Sequence, residues 1–232
     1  MTVTGETGMS TKIRSVSYVW TLVAFVFLVT ASTSQAAQDD RIVGDFTKGN
    51  LAGWKEKVFN KSTRYEFVQN GKDTVLKAQS RASASGLFRE INIDLAKTPC
   101  LTWSWKVDGI LDGLNETTKK GDDYPARLYV MFSGGMFFWQ TRALNYVWSN
   151  AQPKESNWPN AYTQKSINIA VQSGSDKAGK WISESRNIRD DYRRLIGEDI
   201  TWADGVALMT DTDDSGKAAT AYYGEIRFTS SC

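Results

Sequence analysis

Carboxylates are concentrated in two short segments, and these residues are the best suited to chemistry. Asp122 and Asp123 precede one strand-like apolar run, and Asp211 and Asp213 follow another. A loop at the ends of two such strands could gather all four into one site. Grouped carboxylates repel one another, so a protein that keeps them usually offsets them with an arginine, a metal or a ligand. The sequence therefore predicts a candidate site, provided that the two segments meet in space.

A calcium ion is one way to offset the second segment. Oxygen-bearing side chains stand at positions one, three and five from Asp211, and Gly216 stands at position six, as in the first half of a calcium loop. The pattern fails at position twelve, where Tyr222 replaces the expected glutamate. Asp211 and Asp213 are therefore candidate calcium ligands, and the alternative is a short aspartate-rich turn between two strands.

An arginine is the second way to offset the charge of the grouped carboxylates. Arg127 lies four residues after Asp123 and two after a turn-like proline. Its guanidinium can hold a carboxylate and can also bind a polar group of a ligand. We therefore take Asp122, Asp123 and Arg127 as candidate ligand-binding residues. The alternative is a structural ion pair that fixes the loop.

Aromatic residues crowd the region from residue 139 to residue 162. The apolar faces of sugars stack well on flat aromatic rings, so Tyr146, Trp148 and Trp158 are candidate stacking residues. Core packing is the alternative for Tyr146 and Trp148, which share one face of a predicted strand. Trp158, in a polar stretch beside a proline, is the better candidate for an exposed ring.

The chain contains no histidine, which limits the enzyme classes that it could belong to. Ser-His-Asp and Cys-His mechanisms and histidine zinc sites are excluded. A glycoside hydrolase or a lyase could still use carboxylates or tyrosine. The available carboxylates include Asp122, Asp123, Asp211, Asp213 and Glu225, but their linear spacing does not show which of them converge, so we assign no catalytic residue.

The N-terminus has the features of an export signal. Lys12 and Arg14 precede an apolar run at residues 18–29, and small residues follow, with a cleavage site predicted before Ala37. We therefore expect residues 1–36 to be a signal peptide, and the mature protein to be periplasmic or secreted and not stably inserted in a membrane. Export also permits a disulfide between Cys100 and Cys232, and the alternative is two thiols.

Period-two alternation of apolar and polar residues dominates the rest of the chain. About ten segments read as strands: 64–69, 74–79, 86–94, 101–107, 128–132, 143–148, 166–171, 181–185, 205–210 and 221–228. One short helix is predicted near residues 188–196, ending at Gly197. Residues 37–232 are therefore predicted to form a single all-β domain, a β-sandwich or jelly roll. We expect residues 109–120 and 150–160 to be its least ordered parts.

Several spaced motifs resemble a known bacterial family, the domain of unknown function 3047. They are DDYPARLYV at 122–130, LNYVW at 144–148, ESRNI at 184–188, ALMTDTD at 207–213 and AYYGEIRF at 221–228. The resemblance runs from about residue 41 to the C-terminus. It implies an exported jelly roll, akin in outline to carbohydrate-binding modules, and a shared fold assigns no activity by itself.

Three functional hypotheses follow. The first is an exported, non-catalytic β-sandwich that binds a carbohydrate or a cell-envelope glycan. The second is a carbohydrate-active hydrolase or lyase that uses carboxylates or tyrosine. The third is a structural or protein-interaction domain of the envelope. A net charge of +2 with scattered lysines and arginines gives no reason to expect a nucleic-acid partner, and the sequence leaves the oligomeric state open.

Overall fold

The alternating segments become strands of two β-sheets. The structure is a computed structural model that describes residue 8, residues 40–134 and residues 137–232, with only the backbone of residues 137–140. The predicted signal peptide and its cleavage site lie outside the described residues, apart from Gly8. The strands are β1 (Arg41–Gly44), β2 (Lys55–Asn60), β3 (Arg64–Asn70), β4 (Asp73–Arg81), β5 (Ala84–Asp94), β6 (Cys100–Val107), β7 (Arg127–Gly134), β8 (Phe137–Ser149), β9 (Asn157–Pro159), β10 (Ser166–Ser173), β11 (Ile182–Asn187), β12 (Trp202–Met209) and β13 (Ala218–Thr229).

One sheet has six strands and the other has seven. The six-stranded sheet has the order β11-β6-β13-β4-β3, and β1 also pairs with β13. The seven-stranded sheet has the order β2-β5-β12-β7-β8-β10-β9. Neighbouring strands are antiparallel except for β8 and β10, which are parallel. The predicted all-β sandwich is confirmed.

The core forms where the apolar faces of the two sheets meet. In β6, Leu101, Trp103, Trp105 and Val107 are buried, whereas the residues between them are partly exposed. One hydrophobic cluster joins these side chains to apolar residues of β7, β8 and β12 in the other sheet. Burial of large apolar side chains is the main stabilising term of such a domain.

The ten predicted strands correspond to β3–β8 and β10–β13, and the predicted helix is α1 (Ile188–Ile196). Asn187 caps the N-terminus of α1 by accepting from the backbone N–H of Asp190, and Gly197 ends the helix in a left-handed conformation. The sequence did not predict β1, β2 or β9. These strands are short or, like β2, exposed along their whole length, so they lack the alternation that marks a half-buried strand.

Cys100 and Cys232 form a disulfide, with their Cα atoms 5.3 Å apart. This decides between the two alternatives that the sequence left open. Cys100 begins β6, where it pairs with Thr229 of β13, so the bond fastens the C-terminus to the first residue of an inner strand of the six-stranded sheet.

The two segments that we expected to be least ordered are tied together by a carboxylate. Glu116 is fully buried, and it accepts hydrogen bonds from the hydroxyl of Ser149 and from the backbone N–H groups of Asn150, Ala151 and Gln152. A buried carboxylate is tolerated only when it is bonded in this way. The expectation of disorder missed this long-range contact.

No helix in the described residues is both long enough and apolar enough to cross a membrane.

Candidate functional site

A cleft with a volume of about 500 Å³ opens on the outer face of the seven-stranded sheet. In β7, Leu128, Val130 and Phe132 point into the core, so Arg127 and Tyr129, which alternate with them, point outward and line the cleft. Its charged lining residues are Asp122, Arg127, Lys165, Asp211, Asp213 and Asp214. Its apolar lining residues are Phe59, Ala84, Phe88, Met131, Ala143 and Met209.

The two acidic segments meet at one end of this cleft, around Arg127. The guanidinium donates from Nε to Asp211 Oδ1 at 2.8 Å and from Nη2 to Asp211 Oδ2. Its other N–H groups reach the backbone carbonyl of Asp122, Asp122 Oδ2 at 3.4 Å and the Tyr129 hydroxyl at 3.2 Å. The five N–H groups of an arginine are thereby all used within the protein. Arg127 therefore holds the residues of the site in place. The sequence predicted that it binds a ligand, but its guanidinium has no N–H donor left to do so.

Burial governs the titration of the groups around Arg127. Burial raises the pKa of Asp211 above its ordinary value, and the charge of Arg127 opposes that rise. Burial also raises the pKa of Tyr129 to about 12, although Arg127 acts to lower it. Tyr129 is therefore protonated at neutral pH and does not serve as a base there.

Asp123 holds in place the loop between β12 and β13, residues 210–217, which we call the acidic loop. Asp123 is fully buried, and its two oxygens accept from the backbone N–H groups of Asp214 at 3.3 Å and Ser215 at 2.6 Å. The sequence proposed Asp123 as a ligand-binding residue, but its side chain is buried and both of its oxygens are engaged within the protein. Asp122 is buried as well, and its Oδ2 also accepts from Asn160 Nδ2 at 2.9 Å. Asp122 Oδ1 has no hydrogen-bond partner among the described residues.

The acidic loop places two of its carboxylates close to that of Asp123. Oxygens of Asp123, Asp213 and Asp214 lie within 4.8 Å of one another. Asp214 also accepts from the Tyr162 hydroxyl at 2.5 Å. Asp211, which the sequence proposed as a calcium ligand with Asp213, is instead engaged by Arg127. Of that predicted pair only Asp213 belongs to the cluster.

The three aromatic residues chosen from the sequence do not line the cleft. Tyr146 and Trp148 are fully buried in the core, where they contact Trp103 and Trp105 at ring-centroid distances of 5.5 and 6.0 Å. Trp158 is only 7% exposed. It stacks on Tyr124, and its indole N–H donates to the Glu116 carbonyl. The stacking prediction fails because the other sheet covers the first two rings and the loop around Glu116 covers the third.

Other aromatic residues take the exposed positions. Phe59 of β2 is 54% exposed, and Tyr162, in the loop between β9 and β10, is 56% exposed. Phe59 lies 6.2 Å from Phe88 of β5, measured between ring centroids. Phe59, Phe88 and Tyr162 all line the cleft. The signal for Phe59 in the sequence is weak: an aromatic residue beside Val58 in a strand whose other residues are charged or polar.

Glu225, a carboxylate that the enzyme hypothesis could have used, lies in β13 of the six-stranded sheet. It forms an ion pair with Arg227 and is not a cleft residue. Catalysis by a pair of carboxylates that includes Glu225 is therefore not possible in this cleft.

Residues 52–227 match the model of the family described as "Protein of unknown function (DUF3047)". The chain belongs to this family. The match covers the core strands, the Arg127 network and the acidic loop, and it confirms the resemblance noted in the sequence. The chain matches no curated protein in sequence.

Several solved structures are similar to this DUF3047 chain at low sequence identity. One is the family 30 carbohydrate-binding module of a cellulosomal cellulase of Clostridium thermocellum, with 9% identity and a TM-score of 0.50 over 82% of this chain and 97% of that chain. A family 11 module from the same organism, solved with a β-1,3-1,4-mixed-linked tetrasaccharide, gives 9% identity and a TM-score of 0.46 over 83% and 96%. A family 29 carbohydrate-binding module from Piromyces equi has 12% sequence identity and a TM-score of 0.39, over 83% of this chain and 91% of that chain.

Proposed function

We propose that this protein is an exported, non-catalytic carbohydrate-binding domain, and that it binds a sugar or a cell-envelope glycan in the cleft on the seven-stranded sheet. The observation that carries the proposal is that exposed aromatic rings and unpartnered polar atoms meet in one cleft. The β-sandwich shared with carbohydrate-binding modules is compatible with this function but assigns no ligand.

The aromatic rings supply the apolar part of the proposed contact. Phe59 and Phe88 form one wall, and Tyr162 belongs to the loop between β9 and β10. More than half of the surface of Phe59 and of Tyr162 is exposed to solvent, although both are large apolar side chains. Sugars present C–H faces that cover such rings, so binding would remove this surface from water.

Polar atoms in the cleft supply hydrogen bonds for sugar hydroxyls. Asp122 and Ser166 both line the cleft, and both are more than nine-tenths buried. Asp122 Oδ1 and Ser166 Oγ have no hydrogen-bond partner within the described part of the chain. A buried polar group without a partner costs about 1–3 kcal/mol, so a ligand hydroxyl or a water would stabilise these atoms.

Support for binding without catalysis comes from the way the reactive groups are used. Arg127 and Asp211 are paired, Asp123 holds the backbone of the acidic loop, and Tyr129 is protonated. Asp213 and Asp214 are the carboxylates of the acidic loop that remain for an enzyme. The enzyme hypothesis therefore rests on these two residues and on Asp122.

Titration calorimetry against a panel of soluble glycans tests the proposal. We expect Phe59→Ala and Tyr162→Ala each to weaken binding about tenfold or more, because each removes a ring from the contact. Trp202→Ala is the matched control, since Trp202 is 51% exposed but lies outside the cleft, and we expect no change. Failure of every glycan to bind, or equal loss in all three variants, contradicts the proposal.

The same samples separate binding from turnover. We expect each bound glycan to be recovered unchanged after long incubation. Release of reducing ends or unsaturated products that is lost in Asp213→Asn would instead support the hydrolase or lyase hypothesis.

Export is a separate part of the proposal. The predicted signal peptide supports it, and so does the Cys100–Cys232 disulfide, because disulfides persist in oxidising compartments. We expect the protein recovered from the periplasm or the medium to begin at Ala37, which intact mass spectrometry measures. Recovery of the full-length chain from the cytoplasm alone contradicts export.

A further inference from the structure

We propose that the cleft is selective for a glycan that carries a positive charge, and that its ligand contains an amino sugar whose ammonium group binds between Asp213 and Asp214. This inference rests on the proposed function and names the ligand class of the same cleft. Four of the lining residues are aspartates and two are cations, Arg127 and Lys165. The cleft therefore has an excess of negative charge.

The ion pairs around the cleft show which negative charges remain available. Arg127 is saturated by Asp211, Asp122 and Tyr129, and its charge offsets that of Asp211. Asp213 and Asp214 are both partly exposed, and an oxygen of each lies within 4.8 Å of the other. A single ammonium group, with three N–H donors, is small enough to bond both.

Neutral neighbours already hold the two carboxylates in position. Asp214 accepts from Tyr162, and Asp213 accepts from Asn60 Nδ2 at 3.4 Å. Neither contact neutralises a charge. Burial raises the pKa of Asp214, and repulsion from Asp213 and Asp123 raises it further, although the bond from Tyr162 lowers it. A bound cation would relieve this repulsion.

A second observation points independently to a ligand in this cleft. Asp122 Oδ1 and Ser166 Oγ, on buried side chains that line the cleft, have no partner among the described residues. The Tyr162 ring beside the carboxylates already makes a cation–π contact, with the Lys119 ammonium 5.2 Å from its centroid. The cleft thus combines polar atoms for hydroxyls, rings for a sugar face and carboxylates for an ammonium.

A matched pair of ligands tests the inference. Oligomers of β-1,4-linked glucosamine and of N-acetylglucosamine, equal in length, differ in the charge and acetylation of one nitrogen per sugar. At pH about 6 the amine is protonated. We expect the glucosamine oligomer to bind about tenfold or more tightly, as for a charge-assisted hydrogen bond, and the difference to shrink as salt is added. Oligogalacturonate, which is acidic, should bind more weakly than either.

Variants of the carboxylates complete the test. Asp213→Asn should reduce the preference for glucosamine, and the double change Asp213→Asn with Asp214→Asn should reduce it to about onefold, while the N-acetylated oligomer still binds. Asp176→Asn, at an exposed position outside the cleft, should keep the preference. The single variant retains the Tyr162–Asp214 bond, so it remains informative if the double variant does not fold.

The outcomes separate this inference from the proposed function. Equal binding of the two oligomers, or a preference for oligogalacturonate, overturns the amino-sugar inference and leaves carbohydrate binding intact. A preference that survives in both aspartate variants also overturns it. Failure of every glycan to bind overturns the proposed function and the inference together.

Discussion

Arg127 and Asp211, which are 84 residues apart in the sequence, form a two-point ion pair in which each side chain is only 4% exposed. The pair joins the first residue of β7 to the loop that follows β12, its neighbour in the sheet. The face of the Tyr124 ring lies 4.2 Å from the guanidinium carbon and covers it. This contact brings the two acidic segments together and fixes one end of the cleft.

Breaking this pair should strongly destabilise the protein. Arg127→Ala leaves Asp211 and Asp122 buried near each other without a cation, so we expect the free energy of unfolding to fall by about 3–5 kcal/mol. Denaturant titration measures it. Arg64→Ala, which removes an exposed ion pair to Glu66, is the control and should cost about 0–1 kcal/mol. A loss for Arg127→Ala no larger than that of the control would show that the pair does not stabilise the fold.

Asp191 should make stability depend on pH in the acid range. Burial acts to raise its pKa, but hydrogen bonds from Arg186, Arg194 and Tyr146 outweigh burial and hold the pKa below its ordinary value. Because the folded pKa is lowered, the stabilisation is complete above the unfolded pKa of about 4 and is lost as the pH falls through the folded pKa.

The matching measurement is the free energy of unfolding of the wild type and of Asp191→Asn between pH about 2 and pH about 7. We expect the variant to be less stable by about 3 kcal/mol near neutral pH, and the difference to shrink below pH about 4. Asp176→Asn is the control and should follow the wild type. A difference that stays constant over the whole range would contradict a lowered pKa.

The disulfide should contribute measurably to stability. It closes a loop with a sequence separation of 132 residues, and a cross-link of this kind restricts the unfolded chain. We expect Cys232→Ser, or reduction of the wild type, to lower the free energy of unfolding by about 2–4 kcal/mol. A reductant should leave the double variant Cys100→Ser, Cys232→Ser unchanged. Equal stability of the oxidised and reduced wild type would count against this contribution.

Removal of divalent metal should leave the melting temperature unchanged. Calcium takes six to eight oxygen ligands. Of the residues that could supply them here, Asp211 is held by Arg127, and both oxygens of Asp123 accept from backbone N–H groups. Scanning calorimetry with a chelator and with millimolar calcium measures this. A rise of the melting temperature with calcium that Asp213→Asn abolishes would instead establish a calcium site on the acidic loop.

The sequence by itself determined the fold class and most of the strands. Strict alternation, as in β6, places every second side chain on one face, and this local periodicity survives in the folded protein. The helix α1 could also be predicted, because Gly197 and the apolar stripe of residues 188, 192 and 195 are local signals in the sequence. Family membership followed from motifs that are contiguous in the chain.

The sequence identified residues of the site but not their roles. The sequence singled out both acidic segments and Arg127, and the structure brings Asp122, Arg127, Asp211 and Asp213 to one cleft. The sequence could not show that every N–H donor of Arg127 is used within the protein, because the acceptors of these hydrogen bonds come from two segments far apart in the chain. The roles of individual residues were therefore not decided by their types.

Only the tertiary structure decided which aromatic residues face solvent. Tyr146 and Trp148 are residue types that can stack on sugars, but the second sheet covers them. Phe59 and Tyr162 remain exposed. Alternation along a strand tells which residues share a face, but which face is buried depends on how two sheets stack. How the two sheets pack is a long-range property of the chain. It buries the aromatic residues that the sequence proposed for sugar binding, and it leaves the cleft on the opposite face of the seven-stranded sheet.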